Sequence, residues 1–148
     1  MTRVYIGADH NGFKLKEGIK EFLRKRKFEV IDEGNTVFDQ NDDYPLFAIK
    51  VGMSVADNKS KGILICGTAQ GMCIAANKIK GVRAAIAYNV KEAKIIREHN
   101  DANIICLPAW RPISYIYKII DTFLSTKFSN VVRHKRRVDQ IIEFEENR

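Results

Sequence analysis

Gly62-Ile63-Leu64-Ile65-Cys66-Gly67-Thr68-Ala69-Gln70-Gly71 is an apolar run that stops at a cysteine and breaks into small residues ahead of a helix-like stretch. A short β-branched run bounded by such a turn reads as a buried strand feeding a helix. The unpaired N–H groups of the turn and the positive end of the helix dipole then face one spot. That favours anions, and it favours a thiolate over a thiol. A cysteine at a strand end can equally be a small core residue, so the neighbouring segments decide the role of Cys66.

Working outward, four further runs resemble Gly62–Cys66: Val4–Ala8, Phe28–Asp32, Arg83–Ala87 and Asn103–Leu107. Helical patterns separate them. Leu15, Ile19, Phe22 and Leu23 make one apolar stripe between the first two strands, within a helix over Lys14–Lys27. Asp43-Tyr44-Pro45 opens a second helix, with proline in the first turn where its missing N–H does no harm. A third runs from about Gly71 to Ile79 and a fourth from Val90 to Glu98, with Asn89 and Glu92 spaced as a capping pair. A fifth covers Ser114–Leu124, and a short basic connection leads to a last helix over Arg137–Glu145. Strands alternating with helices imply a parallel sheet covered on both faces: a single-domain, Rossmann-like, three-layer α/β/α sandwich with five strands. With strand order 2-1-3-4-5, the loops after strands one and three lie side by side at the carboxyl edge, the default ligand site of such sheets.

A chain of 148 residues suits one domain. Its three cysteines lack C-x-x-C spacing and histidine support, so no zinc site is expected, and they point to a reducing cytoplasm. The first residues carry no signal-peptide pattern, and no apolar run approaches the ~20 residues of a membrane span. The net charge of +7 raises nucleic acid as a partner. The densest basic run, Arg133-His134-Lys135-Arg136-Arg137, lacks the interleaved aromatics that stack on bases, and arginines four apart on a helical turn can clasp a phosphate.

The two neighbouring loops hold Asp9, His10, Asn11 and Gly12 on one side and Cys66 to Gly71 on the other. Asp9 or Asn11 can cap the first helix, and His10 can meet an anion. His99 and Asn100 close the fourth helix, where a histidine is commonly just a dipole partner. Only three histidines are present, however, so acid–base chemistry near neutral pH has few carriers. A C-x5-R phosphatase loop is excluded by Met72, and P-loop, dinucleotide and nucleophile-elbow motifs are absent.

Together these blocks resemble the ribose-5-phosphate isomerase B and galactose-6-phosphate isomerase family. The resemblance runs through Gly7-Ala8-Asp9-His10-Asn11-Gly12, Asp43-Tyr44-Pro45, Gly62–Thr68, Gly71, Ile74–Lys78, Gly81–Ala84, His99–Asn103, Arg133-His134 and Arg137-Val138. It implies an aldose–ketose isomerase of sugar phosphates that needs no metal and no cofactor. The preferred reaction is ribose 5-phosphate to ribulose 5-phosphate. A six-carbon substrate such as galactose 6-phosphate or allose 6-phosphate is the alternative, and a non-enzymatic anion or nucleic-acid module the remote one. The resemblance makes Cys66 the base that moves a proton between C2 and C1, with Thr68 and the N–H groups of Gly67, Ala69, Gln70 and Gly71 around the oxyanion. His99 would open the furanose ring and Asn100 hold the sugar, Asp9 would bind hydroxyls, and His10, Arg133 and Arg137 would grip the phosphate. It also implies a homodimer or homotetramer with shared sites, the last helix serving assembly. The sequence departs from the family pattern at Ala69, where glycine is usual, and at Trp110, with Arg111 one place beyond the usual phosphate arginine.

Overall fold

Strands that are apolar on both faces need cover on both faces, and the computed structural model, which describes residues 1–148, provides it. The chain runs β1 (Arg3–Ala8), α1 (Phe13–Lys25), β2 (Glu29–Asp32), α2 (Tyr44–Asn58), β3 (Lys61–Cys66), α3 (Gln70–Ala76), β4 (Ala84–Ile86), α4 (Val90–Glu98), β5 (Ile104–Pro108), α5 (Ile113–Ser125) and α6 (Val132–Glu146). All strand pairs are parallel. Side chains alternate between faces along each strand. Val4, Ile6, Ile63, Ile65, Ile105 and Leu107 pack against α1, α4 and α5. Tyr5, Leu64, Cys66, Ile104 and Cys106 face α2 and α3.

The strand order is β2-β1-β3-β5-β4, which corrects the expected placing of the last two strands. β5 is buried along its whole length and takes the place beside β3, whereas β4 has only three half-buried residues and stands at the edge. The convergence of the first and third loops survives, because it depends only on β1 lying beside β3.

Two helix boundaries also differ from expectation. α3 stops at Ala76 because the Asn77 amide leaves the helix for the backbone of β4: its Nδ2 donates to Ala84 O and its Oδ1 accepts from Ala84 N, both at 2.8 Å. The last helix begins at Val132 instead of Arg137, so the basic run is helical and not a connection. Only His134 and Val138 of α6 are buried, too sparse a stripe to mark its start in the sequence. α4 falls where expected. Asn89 Oδ1 accepts from Glu92 N at 2.8 Å, while the Glu92 carboxylate reaches back to Tyr88 N at 3.1 Å instead of closing on Asn89.

The loop after β1 is pressed against β3. A Cβ on Gly12 would stand 2.9 Å from the Ile65 carbonyl oxygen and closer still to the Ile65 side chain. Gly12→Ala is therefore expected to destabilise the protein by about 1–3 kcal/mol, read as a lower urea midpoint at unchanged m-value. An unaltered midpoint would show that the loop can move away from β3.

Candidate active site

The carboxyl edge of the sheet assembles from β1, β3 and β5. Asp9 N donates to Ile65 O at 3.3 Å and Ala109 N to Cys66 O at 2.9 Å, so the three strand exits are stitched together around Cys66. Cys66 is the last residue of β3 and is 4% exposed, on the α2–α3 side. Beyond it, the N–H groups of Gly67, Thr68 and Ala69 donate to no acceptor of the chain, while Gln70 N reaches Thr68 Oγ1 at 3.4 Å. Ala69 adopts φ +69°, ψ −13°, the left-handed region in which the family's glycine would be unstrained. For alanine that conformation costs about 1–2 kcal/mol, offset in part by the ~0.8 kcal/mol gained from burying its methyl group, which is fully enclosed. The turn thus keeps its shape without glycine.

Asp9 is buried, and its Oδ1 accepts from Asn11 N (3.0 Å) and Gly12 N (3.3 Å), which folds the loop back on itself. Oδ2 accepts no hydrogen bond from the chain. His10 is held by Asp42, which accepts from His10 N at 3.0 Å and faces His10 Nδ1 at 2.8 Å. That hydrogen bond raises the His10 pKa above the ordinary imidazole value; burial opposes it, and the charges of Asp9, Asp42 and Asp39 add to it. The other two cysteines differ from Cys66 in setting. Cys106 is enclosed within β5, and burial pushes its thiol well up, while the Cys73 thiol donates to Ala84 O at 3.4 Å.

Three residues at this edge carried no assigned role, or only a weak one, in the sequence. Tyr44 lies against the first turn of α3, where a Cβ on Gly71 would overlap its ring. Its only sequence signal is the Asp43-Tyr44-Pro45 block. Asp42 had no signal beyond standing in an acidic stretch. Arg111 follows β5 at the same edge, its Nε donating to Tyr88 O at 2.9 Å and its guanidinium near the Trp110 and Tyr115 rings. The structure therefore puts Arg111 on the Cys66 side of the sheet.

His99, Asn100, Arg133 and Arg137 are elsewhere. α4 runs back from the carboxyl edge to the amino edge, and β5 then starts with Ile104 opposite Gly62, whereas Cys66 is opposite Pro108. The four residue steps between these pairs separate the two edges by about 13 Å at ~3.3 Å per residue. At the amino edge the His99 and His134 rings stack, with centroids 4.1 Å apart and planes 16° apart. Ser129 N and Oγ donate to Glu98 O (3.4 and 2.6 Å), joining the start of α6 to the end of α4. Burial lowers the His134 pKa, and the charges of His99, Arg133 and Arg137 lower it further. Within one chain there are thus two clusters: thiol, N–H turn, Asp9, His10 and Arg111 at one edge, and His99, Asn100, Arg133 and Arg137, all exposed, at the other.

A parallel sheet whose carboxyl edge offers a thiol, a row of unbonded N–H groups and a histidine–carboxylate pair defines an α/β enzyme of anionic substrates. The chain belongs to the ribose/galactose isomerase family, whose sequence profile matches residues 4–141. It is 46% identical to a probable ribose-5-phosphate isomerase B from Mycoplasma genitalium over 145 residues, covering 96% of this chain and 95% of that protein. It is 42% identical to ribose-5-phosphate isomerase B from Mycobacterium tuberculosis, covering 97% and 90%. Among solved structures it resembles ribose-5-phosphate isomerase B from Mycoplasma genitalium with bound ribulose-5-phosphate (44% identity, TM-score 0.95, 99% and 98% covered). It also resembles the enzyme from Clostridium thermocellum (42% identity, TM-score 0.92, 99% of both chains). The expected family and fold class stand, with the strand order corrected as above.

Gly71→Ala should push the Tyr44 ring off the turn and lower kcat/KM roughly tenfold or more, a loss of about 1.4 kcal/mol in transition-state binding. Adding Tyr44→Leu should restore much of the stability lost in the single variant, giving a coupling energy between the two sites. Strict additivity in thermal unfolding would argue against this contact.

Proposed function

We propose that this chain interconverts ribose 5-phosphate and ribulose 5-phosphate, with Cys66 as the base that carries a proton between C2 and C1 of the open-chain sugar. The observation that carries this reading is the thiol at the end of β3 beside the unbonded N–H groups of Gly67, Thr68 and Ala69. Relatives at 42–46% identity named as this enzyme support it. So does the neighbouring structure holding ribulose-5-phosphate.

The thiolate removes the C2 proton, and charge develops on O1 of the resulting cis-enediolate. Donors already aimed at that oxygen stabilise the transition state without reorganising, a contribution of about 3–4 kcal/mol for a well-placed donor. The Thr68 hydroxyl and the N–H of Gly71 extend the row, and Gln70 N joins it by turning from Thr68 Oγ1, to which it donates at 3.4 Å. O1 then gains a proton, O2 loses one, and the thiol returns its proton to C1, so the sum is an isomerisation with no net transfer. Asp9 Oδ2 holds a sugar hydroxyl, and His10 and Arg111 face the phosphate end.

The remaining groups come from a second copy of the chain. His99 opens the furanose ring, Asn100 holds the sugar, and Arg133 and Arg137 grip the phosphate, each from the amino edge of one copy against the carboxyl edge of the other. Two features support this. α6 leaves Val132, Ile141 and Phe144 exposed. It also begins with Arg133, Lys135 and Arg136, cations at the positive end of a helix dipole, an arrangement that is unfavourable until an anion sits there. No helix is long and apolar enough to cross a membrane.

Cys66→Ser should lower kcat by about 10²–10⁴-fold, the usual range for a general base, while sugar phosphate still binds. Arg137→Glu should also be nearly inactive. Mixing and reassociating the two variants should recover about a quarter of wild-type activity, because half the dimers are mixed and each mixed dimer has one intact site. Two inactive variants that form mixed dimers and stay inactive would overturn the shared site. Unchanged turnover in Cys66→Ser would overturn the role of the thiol. Assay of the purified chain on five- and six-carbon sugar phosphates fixes the substrate length.

A further inference from the structure

We propose that Asp42 is a positioning residue for substrate binding: it fixes the His10 ring so that Nε2 is the nitrogen presented to the substrate phosphate. This rests on the reading of His10 as a phosphate contact. Asp42 Oδ1 meets both His10 N (3.0 Å) and His10 Nδ1 (2.8 Å), so one oxygen grips backbone and ring together. The carboxylate is 6% exposed. Its other oxygen accepts from Asn35 Nδ2 at 3.0 Å. Asn35 is tied down in turn, since its carbonyl accepts from Lys16 Nζ, a fully buried lysine paired with Asp32 at 2.9 Å. Between β2 and α2 the chain has no regular element, and this string of contacts is what holds Asp42 in register with the end of β1.

The chemistry follows from what a carboxylate can do. An ionised carboxylate only accepts, so Nδ1 must carry its proton toward Asp42. A neutral ring would then offer Nε2 as an acceptor, which repels a phosphate oxygen; a protonated ring offers Nε2–H as a donor. The groups of this chain that face the ring are Asp42, Asp9 and Asp39, all acidic, and they keep the ring protonated to higher pH. Arg133 and Arg137 of a second copy would act in the opposite sense. The His10–Asp42 pair is nearly neutral overall and presents the positive end of its dipole outward, so it recognises phosphate by direction while arginines supply net charge.

The sign of the pH dependence is set by this. Above about pH 6 the sugar phosphate is already a dianion, so KM should rise as pH climbs through the raised pKa of His10, with kcat little changed. In Asp42→Asn the side-chain oxygen can still accept but the charge is gone. The rise should then begin nearer the ordinary imidazole value of about 6.5, so KM at pH 7.5 should be higher in Asp42→Asn than in the wild type by roughly twofold or more. A wild-type KM profile in Asp42→Asn, with His10→Ala raising KM, would overturn the role of Asp42 and leave the phosphate reading intact. Unchanged KM in His10→Ala would overturn both. If Asp42→Asn does not fold, the His10 imidazole titration followed by NMR in the wild-type protein decides: a midpoint above 6.5 supports the proposal, and one at or below 6.5 overturns it.

Discussion

The pairing of β1 with β3 is the constraint on which the site depends. Val4 lies opposite Lys61 and Ala8 opposite Ile65, so both strands leave the sheet at the same level and their loops meet. A slip of one residue would turn the alternation over and send Cys66 to the α1–α5 side, away from α3. Register is strongly specified because both faces are buried: Ile63 and Ile65 belong to one core and Leu64 and Cys66 to the other. Close approach holds it as well, since Gly62 sits where a Cβ would stand under 3 Å from Val51 and Val55.

A second constraint is electrostatic. Lys16 is fully buried in α1, and Asp32 at the end of β2 receives it at 2.9 Å and Lys20 at 2.7 Å. Burial alone would push the Asp32 carboxyl up; the hydrogen bonds from Lys20, Lys16 and Gly34 N outweigh it and hold the carboxyl below its ordinary value. A depressed carboxylate contributes stability that is present above its unfolded pKa of about 3.9 and is lost as pH falls through the folded value. This network anchors the β2–α2 loop, and through Asn35 it reaches the histidine at the site. Charge buried for structural reasons on α1 is thereby linked to His10 in the loop after β1.

The separation of the candidate site residues between two edges of one sheet follows from the winding of the chain. Every helix of a parallel α/β unit returns from the carboxyl edge to the amino edge, so a residue at the end of a helix and one at the end of a strand face opposite ways. His99 ends α4 and Cys66 ends β3. Under the proposed function their cooperation requires two copies, with the weakly packed α6 and its cationic start in the same arrangement.

Much of this was legible in the sequence, and for identifiable reasons. The alternating apolar runs specified an α/β sheet, because burial on both faces leaves a continuous hydrophobic signature, and Asn89 with Glu92 marked α4 because capping is local chemistry. The family was legible because Cys66, His10, His99 and Arg137 stand in ordered blocks. What the sequence left open depends on competition between distant segments. The placing of β5 inside β4 turns on relative burial, the end of α3 on an Asn77 amide that pairs with β4, and the start of α6 on two buried residues among many charged ones. The link from Lys16 through Asn35 and Asp42 to His10 joins positions far apart in the chain with no periodic pattern. Only tertiary packing, which sets which polar groups are buried together and must satisfy one another, decided it.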